Sequence, residues 1–387
     1  MSSKIKVLQV IPKLGYGGAE TGCYDLAHYL AEKNCSSYIV TSGGPLLKFV
    51  RKDKVKVFRL PVHSKNPILM LINSILITFL IVILNINIVH ARSRAPAWSC
   101  LLSCMITRRK FVTTFHGTYN FSNKLKKFYN SVMVRSDLVI AGSNFIFDHI
   151  NQNYDYLINE KKKLLVIFRG INTEYYSNST ITGEKIKNFL STTNLGSENF
   201  KILLPGRLTR WKGQEMFIQS LNLLRTQYGK ENFQAIILGS HQGRKVYYKK
   251  LLSMVEKYQL SKKIIFLQHF KEIPVVYYIS DVVVSPSIEP EAFGRVAVES
   301  QSMEKPILAS DLGGSKETII HGKSGFLFKN NNINSLAEHL NSFMEMDKSK
   351  LQSIGNEGRK NVLKKFDVEK MCYSTFVEYQ KLIKQKK

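Results

Sequence analysis

The chain has 387 residues, which exceeds one ordinary hydrophobic core and predicts two domains. Hydrophobic residues make up 44% of it and aromatic residues 11%, which excludes a disordered or low-complexity protein. The net charge is +27, but the lysines are spread along the chain without an aromatic-basic recognition motif. Charge alone therefore does not decide between nucleic acid, an anionic membrane surface and an anionic substrate.

Two features of the sequence bear on its cellular compartment. The five cysteines are scattered and form no paired C-x-x-C motif, which favours reduced thiols in a cytoplasmic protein over a disulfide framework or a zinc site. The first residues lead directly into a predicted strand, so we expect no secretory signal peptide.

One segment, Ile68–Leu84, is apolar over a length that is the lower limit for a membrane span. Asn73, Ser74 and Thr78 interrupt it, and a strand is predicted soon after it. We interpret it as a buried or interfacial helix in preference to a span, and the span stays as an alternative.

Short apolar runs alternate with helical segments along both halves of the chain. Runs of this kind indicate parallel strands in sheets that are covered by helices on both faces. Seven strands are predicted in the first half: Val7–Ile11, Ser37–Thr41, Val55–Leu60, Ile86–Ala91, Phe111–His116, Leu138–Gly142 and Leu164–Phe168. Six are predicted in the second half: Ile202–Pro205, Gln234–Leu238, Ile264–Leu267, Val282–Ser285, Ile307–Ala309 and Gly325–Phe328.

The polar stretch Ser177–Asn199 separates the two series of strands and predicts a domain junction. The tail after Phe366 has the apolar spacing of a last amphipathic helix. We therefore expect an α/β fold with two Rossmann-like, doubly wound parallel-sheet domains that face each other across a cleft. The expected bounds are residues 1–180 for the first domain, 181–365 for the second and 366–387 for the last helix, which crosses back to the first domain.

Open α/β sheets bind ligands at the carboxyl ends of their strands, and several informative residues follow predicted strands. The turn Gly15-Tyr-Gly-Gly-Ala-Glu20 comes after the first strand and before the helix predicted at Thr21–Glu32. Gly17 and Gly18 would let the backbone approach a phosphate or a sugar closely. A tight turn without a ligand is an equally good interpretation, because the spacing is not the G-x-G-x-x-G fingerprint.

His116 ends a predicted strand of the first half and should face the ligand edge. A neutral imidazole there could bind a sugar hydroxyl or assist proton movement, and the alternative is a histidine satisfied by a neighbouring carbonyl. The segment His90-Ala-Arg-Ser-Arg94 also ends a strand. Its two arginines could meet an anionic acceptor or form a solvated edge, and the sequence does not decide between the two.

Two cations follow the first strand of the second half, in Gly206-Arg-Leu-Thr-Arg-Trp-Lys-Gly213. Arg207 could clamp phosphate oxygens with a planar fork, while Lys212 supplies a mobile point charge. Two solvated cations in a surface loop are the alternative. The position directly after a strand, between glycines, favours a phosphate site.

Glu291 and Glu299 stand eight positions apart around a Phe-Gly turn, Phe293-Gly294, that opens a predicted helix. At 3.6 residues per turn, we expect Glu291 at the helix mouth and Glu299 two turns deeper on nearly the same face. The amides of the first turn could hold a diphosphate, and the carboxylates could hold sugar hydroxyls. A solvated helix face is the alternative, but a strand precedes the segment and Glu317 follows a later glycine pair.

Together these segments resemble the retaining glycosyltransferases of family 4, which have the GT-B fold and an E-x7-E signature. The resemblance covers nearly the whole chain and rests on these residues: Gly17-Gly18, His116-Gly117, Gly170-Ile-Asn172, Gly206-Arg207, Lys212-Gly213, Pro290-Glu-Ala-Phe-Gly-Arg295 with Glu299, Gly313-Gly314 with Glu317, and Gly322 with Gly325. The segments His90–Trp98 and Thr114–Asn120 are similar to the branch that builds lipopolysaccharide core or related surface glycans. The family often has Asp where this chain has Asn172, which is a mild departure.

The resemblance implies roles for individual residues. Six of them would bind the donor diphosphate: Arg207, Lys212, Phe293, Gly294, Gly17 and Gly18. Glu291 would bind hydroxyls of the donor sugar, Glu299 would bind the ribose, and His116 would lie beside the reactive edge of the sugar. No metal and no other cofactor is expected, because the two cations replace the magnesium that a diphosphate leaving group otherwise needs.

The implied activity is transfer of a sugar from a nucleoside-diphosphate sugar to a lipid-linked or glycan acceptor in lipopolysaccharide or cell-surface polysaccharide biosynthesis. The implied location is the cytoplasmic face of the cell membrane, where the basic surface and Ile68–Leu84 would meet anionic lipid, with no nucleic acid as a partner. The alternatives are a non-catalytic nucleotide-binding or membrane-surface scaffold protein, and an enzyme that spans the membrane through Ile68–Leu84.

Overall fold

The computed structural model describes residues 4–158, 163–193, 195–196, 198–268 and 270–384. Within these ranges the chain divides into two units. The first unit contains the residues up to Gly170 together with those from Val368 onward, and the second unit is Ile171–Asp367. Each unit has its own parallel sheet flanked by helices, so the predicted α/β class is confirmed.

Seven parallel strands form the sheet of the first unit within the described residues. They are β1 (Lys6–Val10), β2 (Ser36–Thr41), β3 (Val55–Arg59), β4 (Ile88–Ala91), β5 (Lys110–Phe115), β6 (Leu138–Ala141) and β7 (Lys163–Val166). Their spatial order is β3-β2-β1-β4-β5-β6-β7, so the order reverses where β1 pairs with β4. Ligands of doubly wound sheets bind at such a reversal, outside the carboxyl ends of the strands.

Helices connect the strands of the first sheet. They are α1 (Gly18–Glu32), α2 (Pro67–Leu84), α3 (Arg94–Thr107), α4 (Lys124–Asn130) and α5 (Asn144–Tyr154). Helix α1 starts three residues earlier than the predicted Thr21, because Gly17 is its N-cap and Gly18 already lies in the helix.

Helix α2 has clear start and stop signals and an exposed apolar surface. The Asn66 side chain accepts hydrogen bonds from two amides of its first turn, and the helix ends at Asn85 in the left-handed conformation. Of the described helices, it is the one whose length and composition would allow it to cross a membrane, and 22% of that stretch is buried. The sequence therefore predicted the helix correctly, but most of its apolar side chains are not covered by this chain.

The sheet of the second unit has six parallel strands among the described residues. They are β8 (Phe200–Pro205), β9 (Phe233–Leu238), β10 (Ile264–Leu267), β11 (Val282–Ser285), β12 (Ile307–Ser310) and β13 (Phe326–Phe328). Their order is β10-β9-β8-β11-β12-β13, so this sheet reverses where β8 pairs with β11. Each of the thirteen strands expected from apolar runs is present in the two sheets, with bounds that shift by a residue or two.

The helices of the second unit follow the same alternation. They are α6 (Gly183–Ser191), α7 (Gln214–Thr226), α8 (Lys245–Lys257), α9 (Ile273–Ile279), α10 (Arg295–Ser302), α11 (Ser315–Thr318), α12 (Ile333–Glu345) and α13 (Lys348–Lys365). The core lies between these helices and the sheet, with buried side chains such as Phe217, Phe233 and Leu336 in one cluster.

The last helix, α14 (Val368–Lys384), belongs to the first unit, and it is the amphipathic helix that the apolar spacing of the tail predicts. Its buried side chains Cys372, Tyr379 and Leu382 share a core cluster with residues of β1 and α1. The Tyr379 hydroxyl also lies 2.5 Å from Nδ1 of His90 on β4. This polar contact ties α14 to the centre of the first sheet.

Gly213 offers a test of how tightly the loops pack at the reversal of the second sheet. Its φ is +74°, and a Cβ atom there would collide with the carbonyl oxygen of Pro286, while Gly229 has a φ of +65° and open space around it. We expect Gly229→Ala to cost about 1–2 kcal/mol of unfolding free energy from backbone strain alone. Gly213→Ala should cost about 3 kcal/mol or more, because the collision adds to the same strain. Urea unfolding would measure both, and equal costs would contradict the tight packing.

Candidate active site

The loop after β8 directs Lys212 back toward the end of its own strand. A short 3-10 turn, Arg210–Lys212, follows β8, and Gly213 in the left-handed conformation starts α7. The aliphatic part of the Lys212 side chain passes over Gly206, 3.6–3.8 Å from where a Cβ atom at Gly206 would lie. The ammonium group is thereby held at the carboxyl end of the sheet, next to the reversal in strand order.

Glu291 follows β11 on the other side of the reversal and meets Lys212. The Lys212 Nζ lies 2.7 Å from the Glu291 Oε1, and both side chains are about nine-tenths buried. The Ser287 hydroxyl donates to the same oxygen at 2.5 Å, and the Ser285 hydroxyl donates to it at 3.4 Å. All three bonds go to Oε1, so Oε2 keeps its capacity to accept further hydrogen bonds.

The surroundings of Glu291 keep its carboxyl group ionised. Burial acts to raise the pKa of Glu291, but the Lys212 ammonium and the two serine hydroxyls outweigh burial, so the pKa lies below its ordinary value. A buried charge pair of this kind is stable only when its remaining polar atoms have partners. The structure thus brings two of the predicted site residues, Lys212 and Glu291, together as a buried ion pair.

A glycine pair allows the Glu291 loop to come close to the loop after β12. The Gly314 amide donates to the Glu291 carbonyl oxygen at 2.7 Å. A Cβ atom at Gly314 would lie 2.6 Å from the backbone of Phe293, so a larger residue would push the loops apart. Phe293 is buried, with its ring edge-to-face against Phe366 at 5.6 Å, so it supports the loop through packing.

The helix after the Phe-Gly turn begins later than the sequence spacing suggests. Gly294, with a φ of +79°, is its N-cap, and α10 begins at Arg295. Glu291 therefore lies in the loop before the helix, and Glu299 lies in its second turn. The expectation that both carboxylates lie on one helix face is wrong, because the left-handed glycine separates them.

Glu299 has its own buried partners. The Arg295 Nε lies 2.5 Å from the Glu299 Oε1, and the Tyr277 hydroxyl donates to the Oε2 at 2.8 Å. Burial raises the pKa of Tyr277 well above its ordinary value, and the Glu299 carboxylate raises it further. Burial acts to lower the pKa of Arg295, but Glu299 and Tyr176 outweigh it and raise the pKa. This second charge pair lies on α10, one turn apart within the same helix.

Arg207 and Glu317 are more exposed than Lys212 and Glu291. Arg207 directly follows β8, is exposed, and forms no ion pair with any residue that the structure describes. Its carbonyl oxygen accepts a hydrogen bond from Gln214 at 3.0 Å, which fixes the backbone and leaves the guanidinium at the surface. Glu317 is half-buried on α11, whose residues Ser315 and Thr318 pack against Gly294.

In the first unit, the glycine turn is lined by one cation and one anion. Gly17 and Gly18 open α1. The Arg169 guanidinium lies against Gly18, where a Cβ atom would collide with it, and the Glu20 carboxylate lies in the same way over Gly17. The turn therefore has charges of both signs beside it, and Arg169, which follows β7, is the group there that could bind a phosphate.

His116 differs from a structural histidine of the same sheet. His90 is fully buried and both its ring nitrogens have partners, the Tyr379 hydroxyl at 2.5 Å and the Thr114 hydroxyl at 2.7 Å. His116 directly follows β5, and both its ring nitrogens are buried without a hydrogen-bonding partner among the described residues. Buried polar atoms normally have partners, so the His116 ring is poised for an additional molecule.

The charges around His116 keep its imidazole neutral. Burial lowers the pKa of His116 well below its ordinary value, and Arg169, Arg92 and His90 lower it further. Arg92 is buried, and its Nε donates to the Gln9 Oε1 at 2.8 Å. Arg92 is therefore not part of a solvated edge, and the other alternative from the sequence, contact with an anionic acceptor, stays a prediction.

Several of these residues were not identified from the sequence. Arg169 follows β7, and the rule that ligand-binding residues follow strands could have found it. Arg295 is four positions before Glu299, a spacing at which a helical ion pair can be predicted. Tyr277 has no local signal, because only the packing of α9 against α10 brings its hydroxyl to Glu299. Among the described residues, no group of three or more His, Cys, Asp or Glu could hold a metal ion.

Known families match both halves of the chain. The family described as Glycosyltransferase Family 4 matches residues 16–175. The family described as Glycosyl transferases group 1 matches residues 186–361. Among proteins known by sequence, a capsular polysaccharide biosynthesis glycosyltransferase of Staphylococcus aureus is 27% identical over 194 residues, or 47% of this chain and 48% of that protein.

Solved structures share the whole architecture. A glycosyltransferase from Rickettsia africae superposes with a TM-score of 0.90 and 34% identity, over 99% of this chain and 100% of that one. An Anabaena protein in complex with UDP-glucose superposes with a TM-score of 0.82 and 22% identity, over 97% of this chain and 100% of that one. The second likeness supports the shared fold, whereas the first extends to sequence over the full length. The chain therefore belongs to the GT-B glycosyltransferases related to family 4.

Proposed function

We propose that this glycosyltransferase is retaining and transfers a sugar from a nucleoside-diphosphate sugar to a lipid-linked or glycan acceptor. The observation that carries the proposal is the buried Lys212–Glu291 pair at the reversal of the second sheet. This pair puts a cation and a hydrogen-bond acceptor side by side, which suits a donor whose phosphate and sugar hydroxyls are adjacent.

The cations would stabilise the leaving nucleoside diphosphate. A lysine ammonium has three N–H donors, and the Lys212 ammonium uses one of them on Glu291. Two donors stay available for phosphate oxygens, and the exposed Arg207 guanidinium could add a bidentate contact. The amides of the first turn of α10, beside Phe293 and Gly294, would contribute further donors. This set of groups would serve the diphosphate without a metal ion or another cofactor.

The carboxylates would recognise hydroxyl groups. The Glu291 Oε2 makes none of the three bonds described above and could accept hydroxyls of the donor sugar. The Glu299 carboxylate already has Arg295, Tyr277 and Tyr176 as partners, and a carboxylate with about four lone-pair sites could still accept a bond from a ribose hydroxyl. In this role both groups orient the donor and neither exchanges a proton.

His116 and the glycine turn would contact the donor from the first unit, with His116 beside the reactive edge of the donor sugar and the glycine turn at the donor diphosphate. The neutral imidazole could accept a hydrogen bond from a sugar hydroxyl, while Gly17 and Gly18 would approach a phosphate beside Arg169. In front-face attack, the acceptor hydroxyl bonds to the anomeric carbon as the bond to the diphosphate breaks. The hydroxyl proton passes to the departing phosphate oxygen. The sugar keeps its configuration, and no covalent nucleophile is needed.

The acceptor class that we propose belongs to lipopolysaccharide or cell-surface polysaccharide biosynthesis. The similarity to a capsular polysaccharide glycosyltransferase supports a surface glycan, and the UDP-glucose complex of the Anabaena protein supports a nucleotide sugar as the donor. The exposed apolar face of α2 and the net charge of +27 favour a peripheral position on an anionic membrane, at its cytoplasmic face.

Removing either member of the Lys212–Glu291 pair should abolish most of the transfer. We expect Lys212→Met to lower kcat/KM by about 100-fold or more, the loss typical of removing one stabilising donor from a developing charge. We expect a similar loss for Glu291→Gln, because it removes the charged acceptor for sugar hydroxyls and leaves the buried Lys212 ammonium without its partner. Sugar transfer from a nucleotide sugar to a lipid-linked acceptor would measure this. The matched control is Lys250→Met, which removes a surface ion pair with Glu215 and should leave transfer unchanged.

Two outcomes would contradict the proposal. Full transfer by folded Lys212→Met protein would remove the cation from the leaving-group role. Nucleotide-sugar binding without any transfer by the wild-type chain would favour the alternative of a non-catalytic scaffold protein.

Donor nucleotides can be ranked by thermal stabilisation, because a ligand that binds only the folded state raises the melting temperature. We expect one class among UDP, GDP and ADP sugars to stabilise the protein by about 2.7 kcal/mol at a concentration 100-fold above its Kd. The Arg207→Gln variant should lose most of this shift while keeping the melting temperature of the free protein, since Arg207 is exposed. An undiminished shift in that variant would show that Arg207 does not contact the donor.

Membrane association can be tested with vesicles. The Phe79 side chain is 60% exposed on α2, so Phe79→Glu should weaken co-sedimentation with phosphatidylglycerol vesicles by about tenfold, the cost of losing one buried aromatic side chain. The control is Val246→Glu, which changes an 85% exposed apolar residue on α8 and should have little effect. Equal losses in both variants would indicate that only charge matters and that α2 is not the contact.

A further inference from the structure

An apolar groove opens on the first unit between α2, α3 and the end of α4. Its volume is about 520 Å³, within the range of roughly 300–1,000 Å³ that is usual for small-ligand sites. Its walls include these six side chains: Met70, Leu71, Trp98, Leu102, Met105 and Phe128. We call this feature the acyl groove. The proposed transfer reaction gives its wall residues no role.

Beside the groove, α2 and α3 are joined by hydrogen bonds from serine hydroxyls of α3 to backbone carbonyls of α2. The Ser99 hydroxyl donates to the Met70 carbonyl oxygen at 2.8 Å, and the Ser103 hydroxyl donates to the Ser74 carbonyl oxygen at 2.9 Å. On α2, the buried residues are Asn73, Ser74, Ile77 and Ile81, while the other apolar side chains are exposed or partly exposed. Helix pairs with small residues and serine bonds at the contact are typical of a lipid surrounding.

The charge around the acyl groove suits an anionic lipid. Between Asp53 and Asp137 the sequence has no Asp or Glu and thirteen Lys or Arg residues. Lys65 lines the groove, and the Arg135 guanidinium lies over the Phe128 ring at 5.3 Å from its centroid. The charged residues between Asp53 and Asp137 are thus all cationic. An apolar groove in such surroundings fits a molecule with a hydrocarbon chain and a phosphate group.

Helix α3 connects the acyl groove to the strand ends. Trp98 lines the groove, and Arg94 lies one turn earlier on the same helix, at its first residue. The Arg94 Nη1 donates to the Asn130 Oδ1 at 2.8 Å, and its guanidinium lies 4.5 Å from the centroid of the Tyr119 ring. Tyr119 belongs to the loop that starts with His116. A molecule in the groove would therefore reach the ligand edge of the sheet by way of Arg94.

We propose that the acyl groove binds the hydrocarbon chain of the lipid-linked acceptor, with the acceptor phosphate at Arg94 and its sugar toward His116. This inference rests on the proposed function, because it specifies where one part of the acceptor lies. In this proposal the hydrocarbon part of the acceptor contributes to acceptor recognition by the protein. This contribution is separate from the contact between the outer face of α2 and the bilayer.

The chain has two tryptophans, which permits a direct binding test. In the Trp211→Phe variant, Trp98 is the remaining tryptophan and reports on the groove. We expect ω-bromoundecyl phosphate, below its micelle concentration, to quench Trp98 emission saturably, because bromine quenches an indole in contact with it. In the Trp98→Phe variant the same probe should leave the emission of Trp211 unchanged. Absence of quenching of Trp98, or equal quenching of both residues, would overturn the proposal.

Groove and phosphate contacts can be separated with paired variants in the Trp211→Phe background. Leu102→Gln should weaken binding of the probe at least about fivefold, whereas Ile83→Gln, on the apolar face of α2 outside the groove lining, should not. Met105→Gln replaces Leu102→Gln if that protein does not fold. Arg94→Gln should weaken binding of the phosphate and leave binding of ω-bromoundecanol unchanged. Equal affinities of Leu102→Gln, Met105→Gln and the parent would overturn the groove assignment.

The binding assay contains no nucleotide sugar, so it is independent of catalysis. A protein that transfers sugar to a lipid acceptor but shows no quenching of Trp98 would refute the acyl groove alone. A protein that binds the probe as predicted but transfers no sugar would refute the proposed function alone.

Discussion

Lys212 and Glu291 meet where the strand order of the second sheet reverses, and their ion pair joins the loops that follow two neighbouring strands. Burying two charges is favourable only if each has a close partner and the other polar atoms are satisfied. The surroundings meet that condition: two serine hydroxyls reach the same carboxylate oxygen, and Gly314 lets the backbone of the Glu291 loop come close. Helix α10, which carries the Arg295–Glu299 pair, begins directly after this loop at the N-cap Gly294.

The first unit arranges its strand ends around a neutral histidine and two arginines. The rings of His90 and His116 both have buried nitrogens, but those of His90 have partners and those of His116 have none among the described residues, which is why we propose that His116 contacts the substrate. Arg92 and Arg169 come from loops after different strands, yet both bear on the same imidazole. In the function that we propose, this positive charge would attract an anionic group of the substrate, while the neutral ring could still accept a hydrogen bond.

On helix α2 of the first unit, polar residues are buried and many large apolar residues are exposed, which is the reverse of the usual arrangement in a globular protein. Helix α2 buries Asn73 and Ser74 against neighbouring backbone and leaves most of its large aliphatic residues outside. Exposure of such an apolar surface to water is unfavourable, whereas its burial against a bilayer or a lipid chain is favourable. In the functions that we propose, the outer face of α2 would contact the bilayer and the acyl groove would hold the lipid chain, and α3 connects the groove to the strand ends.

The sequence by itself determined the strands, the α/β class and the residues after β8 and β11, because apolar runs and glycine turns act locally. It also indicated Glu291, Lys212 and His116 as residues at strand ends. Only the tertiary structure decided that Glu291 lies outside α10, since one left-handed glycine moves the helix start. The partners Tyr277 and Arg169 came from distant segments, and no local pattern shows which side chains a fold will bring into contact. The exposure of α2 was likewise undecided, because a buried and a lipid-facing apolar helix have the same composition.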